Sequence, residues 1–312
     1  MIRTRLDAPI VLAHGLFGFR RIGLGRLTLK LYFGGIPEAM RGAGNRVVVT
    51  RVPSIAGVKR RARVLAEEIE RAFPGEPVHI IGHSMGGLDA RHLLANPAWV
   101  GRILSLTTIG TPHKGSAIAD LARLRVGRVY RLLRVFGVEH RGFLDLTRRA
   151  AGAVNRGGFS APGVLCQSVA GDPLAEDVYW TLRPFHEILG DLEGPNDGLV
   201  SVESALGFGS PLPNWPVDHF RQMTWHPPSH GPSSRSSIIK RYDDVLDSLV
   251  QQGFQATGPP PPPSEHHRRV FFAAGLPARL RGGRPIKEHG DRHVAEDVGG
   301  RPTAIEEPVD RQ

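Results

Sequence analysis

The chain has 312 residues, too many for a minimal domain and few for two full-sized ones, so one domain with insertions is expected. Hydrophobic residues make up 40% and charged residues 22%, and the single cysteine, Cys166, excludes a disulfide framework or a cysteine-based zinc site. The formal net charge is +10, but the excess is arginine spread along the chain without a dense basic block, so nucleic acid is not an expected partner. No run approaches the roughly 18 apolar residues of a spanning helix. Residues 1–8 carry no apolar stretch of the signal-peptide kind, and the expected compartment is the cytoplasm.

In chain order, Pro9-Ile10-Val11-Leu12 and Arg46-Val47-Val48-Val49 are short apolar runs ended by Gly, Pro or His, as buried parallel strands should be. From Arg60 to Phe73 the spacing is helical, with Ala62, Leu65, Ile69 and Phe73 on one face. Val78 to Ile81 reads as the next strand, Leu88 to Ala95 as the helix after it, and Ile103–Ile109 and Val164–Ala170 as further strands. Strand and helix in alternation predict an α/β fold, a mostly parallel sheet with helices on both faces. Between 116 and 160 the alternation stops. Leu121, Leu124, Val129, Leu132, Leu133 and Phe136 fall near one helical face, with arginines crowding the rest. Periodicity alone describes a surface helix packed on the core, while the basic amphipathic pattern also suits a water–lipid interface.

After Gln255 the composition changes. Five prolines, Pro259 to Pro263, open a stretch rich in Gly, Arg, Glu and Asp. A proline run cannot join a helix or central strand, so 1–257 is expected to be the folded domain and 258–312 a disordered tail. The tail's one apolar knot surrounds Phe271 and Phe272 and could serve as a docking peptide.

The chemistry concentrates at Gly82-His83-Ser84-Met85-Gly86, a G-x-S-x-G motif placed directly after a strand and opening a helix at Gly87-Leu88. Glycines two before and two after the serine permit a tight turn that pushes the Ser84 hydroxyl into a cleft. The helix that follows aims unpaired N–H groups at the same spot. A serine hydroxyl is a poor nucleophile and needs a base, an orienting carboxylate and donors for an oxyanion. His14-Gly15-Leu16 follows the first strand, and there Gly15 lets backbone approach closely. The Leu16 and Met85 N–H groups are therefore the expected oxyanion donors, with His14 shaping the loop rather than moving protons.

Residues 9–18, Ile81 to Gly87, Thr107 to Ser116 and Asn196-Asp197-Gly198-Leu199-Val200 together resemble the bacterial triacylglycerol lipases of the α/β-hydrolase fold, from about residue 9 to 250. That resemblance implies a carboxylic ester hydrolase, a lipase or esterase, with an acyl ester or lipid as substrate and no cofactor. In this fold the catalytic order is Ser, then acid, then His. Asp197, on a Pro-Asn-Asp-Gly turn, is the expected acid, with Asp172, Asp177 and Asp191 as alternatives; its other reading is an acid that stabilises only its own turn. The base comes from His219, His226 or His230, and His219 fits best, because its flanking residues resemble the family's segment. The resemblance also makes 116–160 a helical lid or cap in transient contact with a lipid surface. Calcium-binding members carry an acid two positions beyond the histidine. Arg221 stands there, so no metal site is expected. An acyltransferase or thioesterase would use the same triad, and a binding protein on this fold would leave Ser84 idle.

Overall fold

The computed structural model describes residues 1–16, 21–24, 27–124, 141–156, 162–225, 231 and 234–255. Contacts divide the chain into Met1–Pro261 and Pro262–Gln312, and every described residue lies in the first unit. The proline-led tail and its Phe271 and Phe272 fall outside the described residues.

A six-stranded parallel sheet forms the centre. Its strands are β1 (Ile10–Ala13), β4 (Val47–Val49), β5 (Val78–His83), β6 (Ile103–Ile109), β7 (Leu165–Val169) and β8 (Ser210–Pro211), ordered β4-β1-β5-β6-β7-β8. A two-stranded antiparallel ribbon, β2 (Arg21–Leu24) and β3 (Leu27–Leu31), inserts after β1. Every residue of β1 and β5 is buried, which is why these strands read as continuous apolar runs rather than alternating ones. The expected α/β architecture is the one observed.

Two helical layers cover the sheet, and each buries its own cluster. On one side α2 (Val58–Ala72) and α3 (Met85–Leu94) pack Leu65, Ile69, Ala90 and Leu93 against Val11, Ile80 and Leu106. On the other, α1 (Ile36–Gly42) and α8 (Arg235–Val250) pack Met40, Ile238 and Leu246 against Ile10, Leu12 and Ile81. Successive strand residues point to opposite faces, so Ile80 and Ile81 belong to different clusters.

One predicted boundary moves. The helix after the nucleophile motif starts at Met85, three residues before the expected Leu88. The turn is therefore a single residue, Ser84, and Gly86 and Gly87 are the first turn of the helix. Close approach makes this possible: a Cβ on Gly86 would stand 2.2 Å from the Ala13 carbonyl oxygen. Cys166, expected inside a buried strand, is half-buried at the start of β7, and burial pushes its thiol up to about 11.

Between β6 and β7 the described residues are helical at 117–124, at α4 (Arg141–Asp145) and at α5 (Arg148–Arg156). Residues 125–140, including Val129, Leu132, Leu133 and Phe136 of the amphipathic pattern, lie outside the described residues. After β7 come α6 (Arg183–Glu193) and α7 (Val202–Ala205), which flank the Asp197 turn.

Gly86→Ala is expected to lower stability by about 1–3 kcal/mol, because the Ala13 backbone cannot retreat without moving β1. A urea unfolding curve against the wild-type protein measures it, and an unchanged midpoint would contradict this packing.

Candidate active site

Ser84 lies at the carboxyl end of β5, with the loop that leaves β1 packed against it, in the region where ligands of open α/β sheets bind. Ser84 has φ +55° and ψ −130°, a conformation an L-residue adopts only under strain. Neighbours hold it there: its N–H donates to the Ile109 carbonyl at 2.9 Å, and its carbonyl accepts from the Thr111 hydroxyl at 2.9 Å. The helix N-terminus, beginning at Met85, lies immediately beyond it.

The loop after β1 lies against the serine. A Cβ on Gly15 would meet Ser84 Cβ at 2.7 Å and Ser84 Oγ at 3.1 Å, so only glycine lets His14-Gly15-Leu16 run over the hydroxyl. Leu16, half-buried, follows directly. The fully buried Arg61 fixes this loop from below. Its guanidinium donates to the carbonyls of His14 at 2.6 Å and Pro53 at 2.9 Å, and pairs with Asp89 at 2.8 Å. Burial pushes the Asp89 carboxyl up to about 7 against the opposing pull of Arg61.

Asp197 has 0% exposure, whereas the alternatives Asp172, Asp177 and Asp191 are exposed. Its two oxygens divide their duties. Oδ1 accepts from the Leu199 and Val200 N–H groups at 3.0 and 2.8 Å, which closes the turn. Oδ2 lies 2.7 Å from His219 Nδ1. The turn-stabilising reading and the histidine-orienting reading therefore coexist in one carboxylate. A backbone bond reinforces the pair, from the His219 N–H to the Asp197 carbonyl at 2.9 Å. With Nδ1–H committed to a carboxylate, the Nε2 atom of such an imidazole is left to accept a proton. His226 and His230 lie outside the described residues.

Sequence reasoning did not anticipate Asp218, Gln222 or Tyr32 at this site. Asp218, buried beside His219, accepts from the N–H groups of Phe220, Arg221 and Tyr179 at 2.9–3.0 Å and pairs with Arg221 at 3.1 Å. Arg221 also donates to the Asp177 carbonyl and so ties the histidine loop to the segment before α6. Gln222 touches Asp197, and Tyr32, directly after β3, accepts from the Gly15 N–H. Gln222 had a faint signal, lying three residues after His219 on one turn; Tyr32 had none. Among the described residues, no group of three or more His, Cys, Asp or Glu side chains could hold a metal ion.

A strained serine between strand and helix, with a buried carboxylate–histidine pair on later loops of a parallel sheet, defines an α/β-hydrolase-fold protein. A match to the family described as alpha/beta hydrolase fold spans residues 60–138. Triacylglycerol lipases are among its sequence relatives. The chain is 39% identical over 124 residues to that of Vibrio cholerae, covering 38% of this chain and 37% of the relative. It is 37% identical over 119 residues to that of Pseudomonas fragi, covering 37% and 38%. The matched segments thus span little more than a third of those relatives' lengths. Among solved structures, a metagenomic carboxyl esterase superposes with a TM-score of 0.64 at 18% identity, covering 80% of this chain and 77% of that one. The Staphylococcus hyicus lipase gives 0.61 at 20% identity, covering 78% and 95%.

Among the described residues, four histidines besides His219 are buried. Burial lowers His14 and His79 to about 4, His113 to about 3, and His83 well below its ordinary value. A group with a depressed basic pKa binds fewer protons folded than unfolded, so stability is full above about 6.5 and falls as pH drops towards the folded value. His14, His79 and His113 are each expected to cost on the order of 1–2 kcal/mol between pH 7 and pH 5, and the raised Asp89 offsets about one of them. Urea midpoints should fall steeply from pH 7 to pH 5, and a flat profile would contradict these buried neutral rings.

Proposed function

We propose that the protein hydrolyses carboxylic esters of lipids through an acyl-enzyme on Ser84, with His219 as base and Asp197 as the acid that orients it. The observation that carries this reading is the 2.7 Å contact between His219 Nδ1 and the fully buried Asp197 Oδ2, beside a serine in a strained strand-to-helix turn. Ser84 Oγ attacks the ester carbonyl while His219 Nε2 takes its proton. The Leu16 and Met85 N–H groups donate to the tetrahedral oxyanion, which the close approach of Gly15 to Ser84 supports. The alcohol leaves with the proton from His219, and water then repeats the sequence on the acyl-enzyme. The triacylglycerol lipases among the sequence relatives support a lipid ester as substrate.

The segment 116–160 is the proposed lid. Leu124 and Val154 are 80% and 64% exposed, an arrangement suited to a lipid surface rather than to water. Its α4 helix also reaches the oxyanion loop: a Cβ on Gly142 would stand 2.7 Å from Leu16 Cδ1, and the Gly142 N–H donates to the Ile55 carbonyl at 3.1 Å. Movement of this segment would therefore be felt at Leu16.

Purified protein should hydrolyse nitrophenyl esters, with rates on long chains rising above the solubility limit. Ser84→Ala is expected to lose at least about 10⁴-fold in kcat, and Asp197→Asn a similar factor, with KM little changed. Activity confined to short chains would remove the lid from this reading. An unaffected Ser84→Ala would remove the mechanism, and acyl transfer to an added alcohol in preference to water would reassign the enzyme as an acyltransferase.

A further inference from the structure

Three buried polar side chains outside the proposed triad lie between its acid and the loop over Ser84. Tyr32 Oη accepts from the Gly15 N–H at 2.8 Å and stands 2.8 Å from His83 Nδ1. On the other side of that ring, His83 Nε2 lies 3.2 Å from the His219 carbonyl and 3.1 Å from Gln222 Oε1. The Gln222 amide Nε2 donates to Asp197 Oδ2 at 2.8 Å, the same oxygen that holds His219.

The direction of every proton in this series follows from its fixed ends. A backbone carbonyl can only accept, so the His219 oxygen requires hydrogen on His83 Nε2. A neutral ring then has an acceptor at Nδ1, and Tyr32 is the donor there. Tyr32 has its lone pairs left for the Gly15 N–H, which can only donate. At the opposite end a carboxylate can only accept, so Gln222 presents its NH₂ to Asp197 and its oxygen to His83. Two independent constraints, one from a carbonyl and one from a carboxylate, give the same His83 tautomer. Burial, with His219 beside it, keeps that ring neutral, and burial likewise keeps the Tyr32 hydroxyl protonated. Glycine backbone packs against both ends of the Gln222 amide: a Cβ on Gly171 would stand 2.3 Å from its Nε2, and one on Gly110 2.3 Å from its Oε1.

We propose that Tyr32, His83 and Gln222 are positioning residues that join Gly15 of the oxyanion loop to Asp197 through one directional hydrogen-bond chain, so that the oxyanion donors and the acid–base pair are held in register as a unit. The kinetic consequence rests on the ester-hydrolase reading, while the proton arrangement does not. His83 carries the coupling, because its two nitrogens face the two halves of the site. Removing the Tyr32 hydroxyl frees Gly15 and leaves Nδ1 without a donor. Removing the Gln222 amide takes an acceptor from Nε2 and a donor from Asp197. Either change loosens the same ring.

The test has two arms. The ¹⁵N resonances of histidine-labelled protein should show His83 neutral with hydrogen on Nε2 from pH 6 to pH 9; hydrogen on Nδ1, or titration in that range, would overturn the proposal. In the second arm, Tyr32→Phe, Gln222→Met and the double variant are compared on a soluble nitrophenyl ester. Each single variant should lose about 10- to 100-fold in kcat with KM nearly unchanged. The double variant should lose little more than the worse single one, although residues 32 and 222 bond opposite nitrogens of His83. Multiplicative losses would show independent roles and overturn the chain. Should a variant fold poorly, the resonances of the wild-type protein still decide. A wild-type protein inert on all esters but with His83 protonated at Nε2 would refute the hydrolase reading and leave the hydrogen-bond chain standing.

Discussion

Asp197 is a carboxylate with no exposed surface, and a buried charge persists only where hydrogen bonds replace the water it has lost. Four donors do so here: two backbone N–H groups of its own turn at Oδ1, and His219 and Gln222 at Oδ2. The demand of one ion for four donors shapes two loops at once. It closes the Asn196–Val200 turn, draws the histidine loop across the sheet end, and orients the Gln222 amide towards His83. Loss of any one donor would leave a buried charge under-satisfied, which costs more than the bond itself is worth.

The other half of the site is built on a second buried charge. Arg61 of α2 is enclosed completely, yet its guanidinium donates to Asp89 of α3 and to the carbonyls of His14 and Pro53. Those carbonyls belong to loops at the ends of β1 and β4, where no strand partner remains to satisfy them. A planar, fork-shaped cation meets several acceptors in fixed directions, which a lysine could not reproduce. The pair thereby clamps the loop after β1 to α2 and α3, the helices on either side of β5 in the chain. The sheet supplies a rigid base, and the two ionic centres fix the loops that the sheet cannot reach.

Much of this was legible beforehand, for identifiable reasons. The inner strands β1 and β5 are buried along their whole length and β6 nearly so, which makes their apolar runs stand out in composition, and β6 is found at its expected bounds, Ile103–Ile109. Helix α2 is amphipathic with the expected residues inside: Ala62, Leu65 and Ile69. Glycine spacing located the strained serine, because few other residues permit backbone to approach this closely. The start of α3 was misplaced for the same reason. Gly86 and Gly87 look like turn residues in isolation, but they sit inside the helix because β1 and Thr111 press against them.

The residues that hold the site together were not legible, since none carries a local pattern. Tyr32 is 51 residues from the His83 it touches, and Gln222 is 139 from it. Nor does spacing say that Arg61, in the first turn of an arginine-rich helix, is the buried member of that set. Local sequence determined the sheet, the helix faces, the turn at Ser84 and the residue types available for chemistry, because these depend on neighbours a few positions apart. Tertiary structure alone decided which carboxylate is buried, which histidine meets it and which proton each nitrogen carries. Those choices are set by desolvation and by directional hydrogen bonds between groups brought together from distant parts of the chain.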